Sequence, residues 1–585
     1  MEYELQDKEG GTLKILVTGL PPWHDMEHLA QYISQNGHEV RHLMVEAPAH
    51  YHFSPEEQAT DVLERVRREW SPDLWICACP ELYPPPRAIE NVTIPTVAFI
   101  SDWNLYQPQL AYNLARFDRV CSDRLGSQVL QLHNAQPEYL QPLYSQRSLV
   151  HKPLNLQRDI DILFLGNMNH AIHRNRGAIL EKVASLSDTY LVVIDGELPH
   201  DEYATLMNRA RIVVNYSVRH EMNLRSFETL ACGALLFQEA NNLEIRDWLV
   251  DGEDVVLYSP SSLVPLLEHY LENEVERTTL AASGAAKARN LSAEQRMDTL
   301  FNTLADTRYN VRPFVDFDIT IRRLAEAYLY APALPLQQRS LVFPELEALY
   351  KSHPHRPETH LALGCYHMDA IKSDQQSDAR KSTENHLKSA ITHFNEVTRL
   401  APELIIGWLN LALAIRSTKN LKLEYECMLQ ALSAGDCSHG GLLLGKVTDY
   451  YYADWRLSLA LGHANANLLH AFAASRLSQL ALESGDAKTT LQHAKRAIAL
   501  HPEVPLPYEL AGKAMILDSR WLDAAEILGQ GLRFTAFDFT YRKIYLDVLN
   551  HLGRNEEASA LAKESRRLCK AWRRKSEEAA SFTDS

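Results

Sequence analysis

Short apolar runs alternate with helix-period segments over the first half of the chain, and only the helical period continues through the second half. The first run, LKILVTGL, is too short for a helix and breaks at Gly19-Leu20-Pro21-Pro22, which predicts a buried strand and a sharp turn. MEHLAQYISQ then places apolar residues at helical spacing and closes at Asn36-Gly37. HEVRHLMVE, DLWICACP, TVAFISD and DRVCSD predict further strands. From Asp159 to about residue 305 the alternation repeats. DIDILFLG, TYLVVIDG, ARIVVNYS, GALLFQE and DVVLY are its strands, and AILEKVASL, HDEYATLMNRA, RSFETLAC and SLVPLLEHYLEN its helices. Strands alternating with helices predict a parallel sheet covered on both faces. The first half therefore predicts two Rossmann-like domains in tandem, with ligands bound beyond the carboxyl ends of the strands.

Beyond about residue 318 the strand pattern stops. PETHLALGCYHM, PELIIGWLNLALAI and PEVPLPYELAGKAM each open with Pro-Glu, which suits a first helical turn, and continue as helices of mixed small and large apolar residues. The last two start 100 residues apart, near three periods of roughly 34 residues. AKTTLQHAKRAIALHPE and ALAKESRRL fit second helices of helix-turn-helix repeats, so an irregular tetratricopeptide-like array is expected. The polar segment IKSDQQSDARKSTENH is expected as an exposed extension between helices. The expected organisation is a disordered N-terminus (1–12), an acceptor-side domain (13–153), a donor-side domain (154–317), the helical array (318–575) and a disordered tail (576–585). The fold class is α/β followed by all-α.

Composition narrows the function. The 585 residues exceed one hydrophobic core, and 46% hydrophobic with 23% charged residues is ordinary for a soluble protein. A net charge of −16, with no dense basic run before the C-terminus, argues against nucleic acid or an anionic membrane as the main partner. The acidic, polar start MEYELQDKEGG has no signal-peptide pattern, and no apolar window is long enough for a membrane span. The eight scattered cysteines, Cys77 and Cys79 included, lack metal-ligand spacing and fit free thiols in a reducing cytoplasm.

The stretch RHEMNLRSFETLACGALLF (219–237) carries the candidate chemistry. A loop, VRHEMNL, joins the strand IVVNYS to the helix RSFETLAC, which Gly233 stops. The first backbone N–H groups of that helix, near Asn223 to Ser226, lack intrahelical partners and suit a diphosphate, with Arg225 beside them. Glu228, one turn inside, can accept two hydroxyl hydrogen bonds from a ribose diol, or it can simply favour the positive end of its own helix.

NYSVRHEMNLRSFETLACGALLFQEANNLEIRDWLVDGEDVVLY resembles the donor-binding region of GT-B glycosyltransferases. It is most similar to the spore-maturation CgeB-like branch, in its Asn-x-Arg-x-Phe-Glu, Ala-Cys-Gly and Val-x-Tyr patterns. DIDILFLGNM is similar to the strand and turn that open the family's second domain, and TGLPPW…LAQYISQNGHEV to the start of its first. The resemblance implies that Glu228 binds ribose and that Asn223, Leu224 and Arg225 lie along the diphosphate. Many retaining members carry two glutamates with seven residues between them. Here that spacing from Glu228 falls on His220, with Glu221 one position off, so retention and inversion both stay open.

Other residues have two readings each. Gly166-Asn167 follows a strand and suits a turn facing the donor phosphates, with Arg174 or Arg176 as a cation or as a solvated helix-start arginine. Gly19 permits close backbone approach or merely turns the chain. His24 and Asp25 share its loop and can reach an acceptor. Asp102, after TVAFI, is a candidate base or, with Ser101, a helix N-cap. Asp159-Ile160-Asp161 has an Asp-x-Asp spacing but stands at the wrong edge of its strand, so no metal site is expected.

These features predict a metal-independent glycosyltransferase with no bound cofactor, using a UDP- or GDP-sugar as co-substrate. Its acceptor is expected to be a protein recruited by the repeats, in the cytoplasm. Transfer to a lipid-linked or polysaccharide acceptor, and an inactive scaffold that binds proteins through its repeats, are the alternatives.

Overall fold

A computed structural model describes residues 2–3, 13–19, 38–45, 49–54, 57–80, 85–100, 102–104, 114, 116–131, 137–139, 151–196, 198–291, 309–310, 343–374, 380–439, 442–445 and 449–573. It is a parallel-sheet α/β region followed by an all-helical region. In chain order the first sheet contains β1 (Lys14–Gly19), β2 (Glu39–Met44), β3 (Tyr51–His52), β4 (Leu74–Ala78), β5 (Thr96–Ile100), β6 (Arg119–Ser122) and β7 (Pro137–Tyr139), with helices α1 (Ala59–Arg67) and α2 (Arg124–Gln131). The second contains β8 (Ile160–Leu165), β9 (Val192–Asp195), β10 (Ala210–Val214), β11 (Leu235–Glu239) and β12 (Val256–Tyr258). Its helices are α3 (Arg174–Ala184), α4 (His200–Arg209), α5 (Leu224–Ala231), α6 (Leu263–Glu272) and α7 (Glu274–Ala288).

The chain divides into two compact units, each joining one sheet to part of the helical region. One unit takes residues 1–140, 302–484 and 499–501; the other takes 141–301, 485–498 and 502–585. In the first, the strand order is β3-β2-β1-β4-β5-β6-β7, all parallel. Its central strands are buried apolar runs, as a two-sided sheet requires. Glu2–Tyr3 pairs antiparallel with Tyr309–Asn310, inside the stretch expected to be a disordered N-terminus.

In the second unit the order is β9-β8-β10-β11-β12, again all parallel. β9 is therefore an edge strand, and the chain just past the last helix lies along it: Trp572 pairs with Ile194, and Arg573 N donates to Ile194 O at 3.1 Å. The core of this sheet includes Phe164, Ile179, Leu180 and Phe237 together with Ala536, Phe537, Phe539, Leu568 and Cys569 from the helical region. The final helices, α18 (Phe539–His551) and α19 (Asn555–Ala571) by chain count, thus close one face of the second sheet. Between them and α3, the fully buried Arg542 pairs with Glu181 and, at 3.2 Å, with Glu564.

The earlier helices of the array are α8 (Phe343–Ser352), α9 (Pro357–Asp374), α10 (Arg380–Leu400), α11 (Ile405–Arg416), α12 (Leu421–Ser433), α13 (Tyr450–Ala460), α14 (Ala466–Glu483), α15 (Ala487–Leu500), α16 (Pro505–Leu517) and α17 (Trp521–Gly531). A detail recurs in three of them: His360, Trp408 and Tyr508 each bond the carbonyl of the proline six residues earlier, Pro354, Pro402 and Pro502.

Two expectations about this region change. Only Pro357-Glu358 opens a helix. Pro402 and Glu403 form a turn closed by Leu404 N donating to Ala401 O at 3.1 Å, Leu404 is extended and bridges Asp436, and the helix starts at Ile405. Val504 is likewise extended before Pro505, the conformation a following proline favours. The polar segment expected as an extension is largely helix: α9 runs to Asp374 and α10 starts at Arg380. Residues 375–379 lie outside the described residues; the Lys, Arg and Glu residues on either side are good helix formers, and polarity alone did not reveal that. The expected helix at 26–35 and the tail 576–585 lie outside the described residues.

Candidate active site

Parallel pairing brings the exits of β8, β9, β10, β11 and β12 to one edge of the second sheet. Asn215, the first residue past β10, organises that edge. Its Nδ2 lies 2.9 Å from Asn223 Oδ1, Ser226 Oγ and Gln238 Oε1, its Oδ1 accepts from Arg225 Nη1 at 2.6 Å, and its carbonyl accepts from the Tyr258 hydroxyl at 2.6 Å. One asparagine at the exit of β10 therefore ties two neighbouring strands, β11 and β12, to the start of α5.

Helix α5 begins where expected. Asn223 is its N-cap residue with an extended backbone (φ −84°, ψ 172°), and its side chain meets Asn215 rather than capping the helix. Leu224 is 40% exposed, whereas Ser226, Phe227 and Glu228 are buried. Gly233, at φ 71°, ends the helix. His220 holds φ 60° in the preceding loop, a left-handed conformation uncommon for a side chain of this size, and its carbonyl accepts from Leu243 N at 2.7 Å. Glu221 turns inward and accepts from Arg219 N at 2.7 Å.

Two guanidiniums share one ring. Arg225 lies 4.6 Å and Arg176 5.4 Å from the Phe164 ring centre. Arg225 also fills the space a Cβ on Gly166 would occupy. Arg176 is buried and donates to Asn167 O at 2.7 Å and Tyr216 O at 3.0 Å, so it braces the turn after β8 against the exit of β10. Burial, then the neighbouring Arg225, lowers the Arg176 pKa to about 9. Burial and the cations Arg176, Arg225 and Arg219 lower that of His173 to about 2. Around this loop Arg176 Nε, Arg225 Nε, His173 Nδ1 and His220 Nδ1 are buried without a hydrogen-bond partner. The edge is positive and under-bonded, which suits an anion.

Glu228 is 6% exposed. Its Oε2 accepts from the Tyr203 hydroxyl at 2.8 Å, and its Oε1 lies 3.6 Å from His151 Nε2. Burial and this carboxylate push the Tyr203 phenol well above its usual range. Beneath the site, Glu239 accepts from Ser217, Gln238 and Asn242, and burial raises its carboxyl above the ordinary value.

The structure thus gathers Gly166, Asn167, Arg176, His220, Asn223, Leu224, Arg225 and Glu228 at one sheet edge. Arg174, on the same helix as Arg176, pairs with Glu503 at 3.2 Å. Gly19 ends β1 at φ 85°, and Asp102 is half-buried just past β5, both in the other unit. His24 and Asp25 lie outside the described residues. Asp159 and Asp161 pair with Arg209 and Arg211 at 2.7 and 2.6 Å. All eight cysteines are free. Among the described residues, no three His, Cys, Asp or Glu side chains group as a metal site, and no helix is long and apolar enough to cross a membrane.

Asn215, Tyr203 and His151 escaped the sequence reading. Asn215 has a signal, since it is the first polar residue after an apolar strand at the carboxyl edge. Tyr203 has none, because its position on α4 acquires meaning only from its partner 25 residues away.

Residues 147–302, about a quarter of the chain, match the family model described as glycosyl transferase-like, so this region is a glycosyltransferase-like domain. No curated protein matches the chain. Solved structures give distant likenesses. HepE of Anabaena, in complex with UDP, is 10% identical with a TM-score of 0.37, covering 51% of this chain and all (100%) of its own. Sucrose-phosphate synthase from Thermosynechococcus elongatus is 12% identical at 0.35, covering 50% and 99%. YrrB, a TPR protein with an unusual peptide-binding site, is 8% identical at 0.27, covering 41% and 98%.

Proposed function

We propose that the protein transfers a sugar from a UDP- or GDP-sugar to a macromolecular acceptor, a protein held by the helical array. The observation that carries the reading is the Arg225 guanidinium, stacked on Phe164 at the start of α5 among under-bonded buried nitrogens, inside the region that matches the transferase family. In this reading the α5 amides and Arg225 take the donor diphosphate, and Arg176 adds charge from behind while bracing the turn. Glu228 takes the ribose diol with the lone pairs that Tyr203 leaves. An acceptor oxygen bonds to the anomeric carbon as the bond from that carbon to the diphosphate oxygen breaks. The electron pair leaves with the nucleoside diphosphate, whose growing charge the amides and Arg225 stabilise, so no metal is required. The acceptor proton passes to a base, for which Asp102 and then His24 are the candidates from the sequence.

Thermal unfolding with UDP, GDP, ADP and CMP and their common sugar conjugates tests the reading, with Glu228→Ala alongside. Stabilisation by one nucleotide family, reduced in the variant, is expected. No shift with any of them near a millimolar would overturn it.

A further inference from the structure

The last residues of the helical region reach both supports of the donor site. Arg573, just past α19, places Nη1 3.6 Å from Asp195 Oδ2 and Nη2 2.7 Å from Glu202 Oε1. Asp195 ends β9 and is 1% exposed. Its carbonyl accepts from Gly166 N at 2.9 Å, and its Oδ1 accepts from Gly196 N at 2.8 Å. Gly196 lies so close that a Cβ there would strike the Gly166 carbonyl. Gly166 is the residue against which Arg225 packs. On the other side, Glu202 precedes Tyr203 on α4, and Tyr203 bonds Glu228. One guanidinium therefore touches the phosphate-side support through Asp195 and the ribose-side support through α4. A second contact holds the same turn: the His170 ring stacks on Phe537 at 5.6 Å and 11°.

We propose that Arg573 is a positioning residue of the donor site, and that the end of the helical region is a working part of that site rather than an appended module. The inference rests on the donor reading above. Arg573 contributes no atom to the ligand. It sets the Asp195–Gly196 turn, and through it the height of Gly166 beneath Arg225, while keeping α4 at the distance that lets Tyr203 meet Glu228. The backbone bridge of Trp572 and Arg573 to Ile194 holds the chain on the sheet independently of the guanidinium, so the side chain can be changed alone. A consequence is that anything displacing the final helices, such as an occupant of the array, would alter donor affinity, because the two are mechanically joined.

The test uses the full chain and its Arg573→Ala, Arg573→Lys and Glu202→Gln variants. Calorimetric titration is made with UDP, GDP and inorganic pyrophosphate, and the unfolding temperature of each ligand-free protein is measured. Arg573→Ala is expected to weaken both the nucleotide and pyrophosphate about tenfold, within the range for residues coupled to a site they do not touch. Its ligand-free unfolding temperature should stay close to wild type, and Arg573→Lys should recover part of the affinity. Glu202→Gln should weaken the nucleotide and leave pyrophosphate unchanged, since only the ribose-side contact is lost. Wild-type affinity for both ligands in Arg573→Ala would overturn the proposal. So would an affinity loss matched by a large fall in unfolding temperature and not recovered by lysine, which would mark a purely structural arginine. A wild-type protein that binds none of the three ligands would instead remove the donor reading, and the proposal with it.

Discussion

The Tyr203 hydroxyl donates to Glu228 Oε2 at 2.8 Å. A buried carboxylate held by one donor keeps a fixed orientation, and the lone pairs left over are the ones a ribose diol would use. Tyr203→Phe removes only that donor. It is expected to reduce the preference for a ribonucleotide over its 2′-deoxy analogue by about 1 kcal/mol, the typical worth of one hydrogen bond. Calorimetric titration of both ligands checks it, and an unchanged preference would separate Tyr203 from ribose selection. Glu228→Ala should cost about 1.5–3 kcal/mol of nucleotide affinity, as for hydrogen bonds to a charged group.

Gly166→Ala drives a methyl group into the space of the Arg225 guanidinium. Overpacking of this kind costs about 1–3 kcal/mol, and here it must also displace the arginine from Phe164. Nucleotide binding should fall about tenfold or more, whereas Gly435→Ala, at a glycine with open space around it, should leave binding intact. Equal binding in the two variants would contradict the placement of Arg225.

Arg225→Lys keeps the charge and loses the planar fork that both stacks on Phe164 and reaches Asn215 Oδ1. Nucleotide affinity is expected to fall nearly as far as in Arg225→Ala. Full affinity with lysine would show that a point charge suffices.

Removal of residues 502–585 takes Phe537, Phe539, Leu568 and Cys569 out of the core of the second sheet. The shortened protein should lose cooperative unfolding of the unit that holds its second sheet, and Phe537→Ala alone should cost about 3–5 kcal/mol in chemical denaturation. A truncated chain that unfolds cooperatively and still binds nucleotide would show the helical region to be separable.

Burial lowers the pKa of His170 to about 4 and that of His173 to about 2, from an ordinary 6.5. Because the folded values lie below the unfolded one, the unfolded chain takes up protons first as pH falls. The stability these histidines allow is therefore full above about pH 6.5 and declines as pH drops toward 4. Each contributes up to about 1.4 kcal/mol per pH unit in that window. His42, His367 and His393 behave alike, each near 4. Glu181, which burial pushes up to about 7, works in the opposite sense over the same window, but one carboxyl against five histidines leaves a net decline in denaturant unfolding between pH 7.5, 6 and 5; a flat profile would contradict it.

Much of the architecture was legible in the sequence because it is encoded locally. Short apolar runs, their spacing and the Gly233 stop located all five strands of the second sheet and the ends of α5. The same logic failed where long-range pairing competes with local signals, as after Pro402-Glu403, where a turn and the bridge of Leu404 to Asp436 delay the helix. It also failed for IKSDQQSDARKSTENH, because polar residues need no buried face to prolong a helix.

The sequence by itself determined a parallel α/β region followed by helices, and a helix start armed with Asn223, Arg225 and Glu228, because periodicity, caps and turn residues act over a few positions. Only the tertiary structure decided what those residues meet. Arg225 finds Gly166 and Phe164, Glu228 finds Tyr203, and the edge strand finds Trp572 and Arg573, hundreds of positions later. An apolar period states that a face is buried but not against what, and the register of a parallel sheet brings together residues whose separation along the chain carries no sign of their contact.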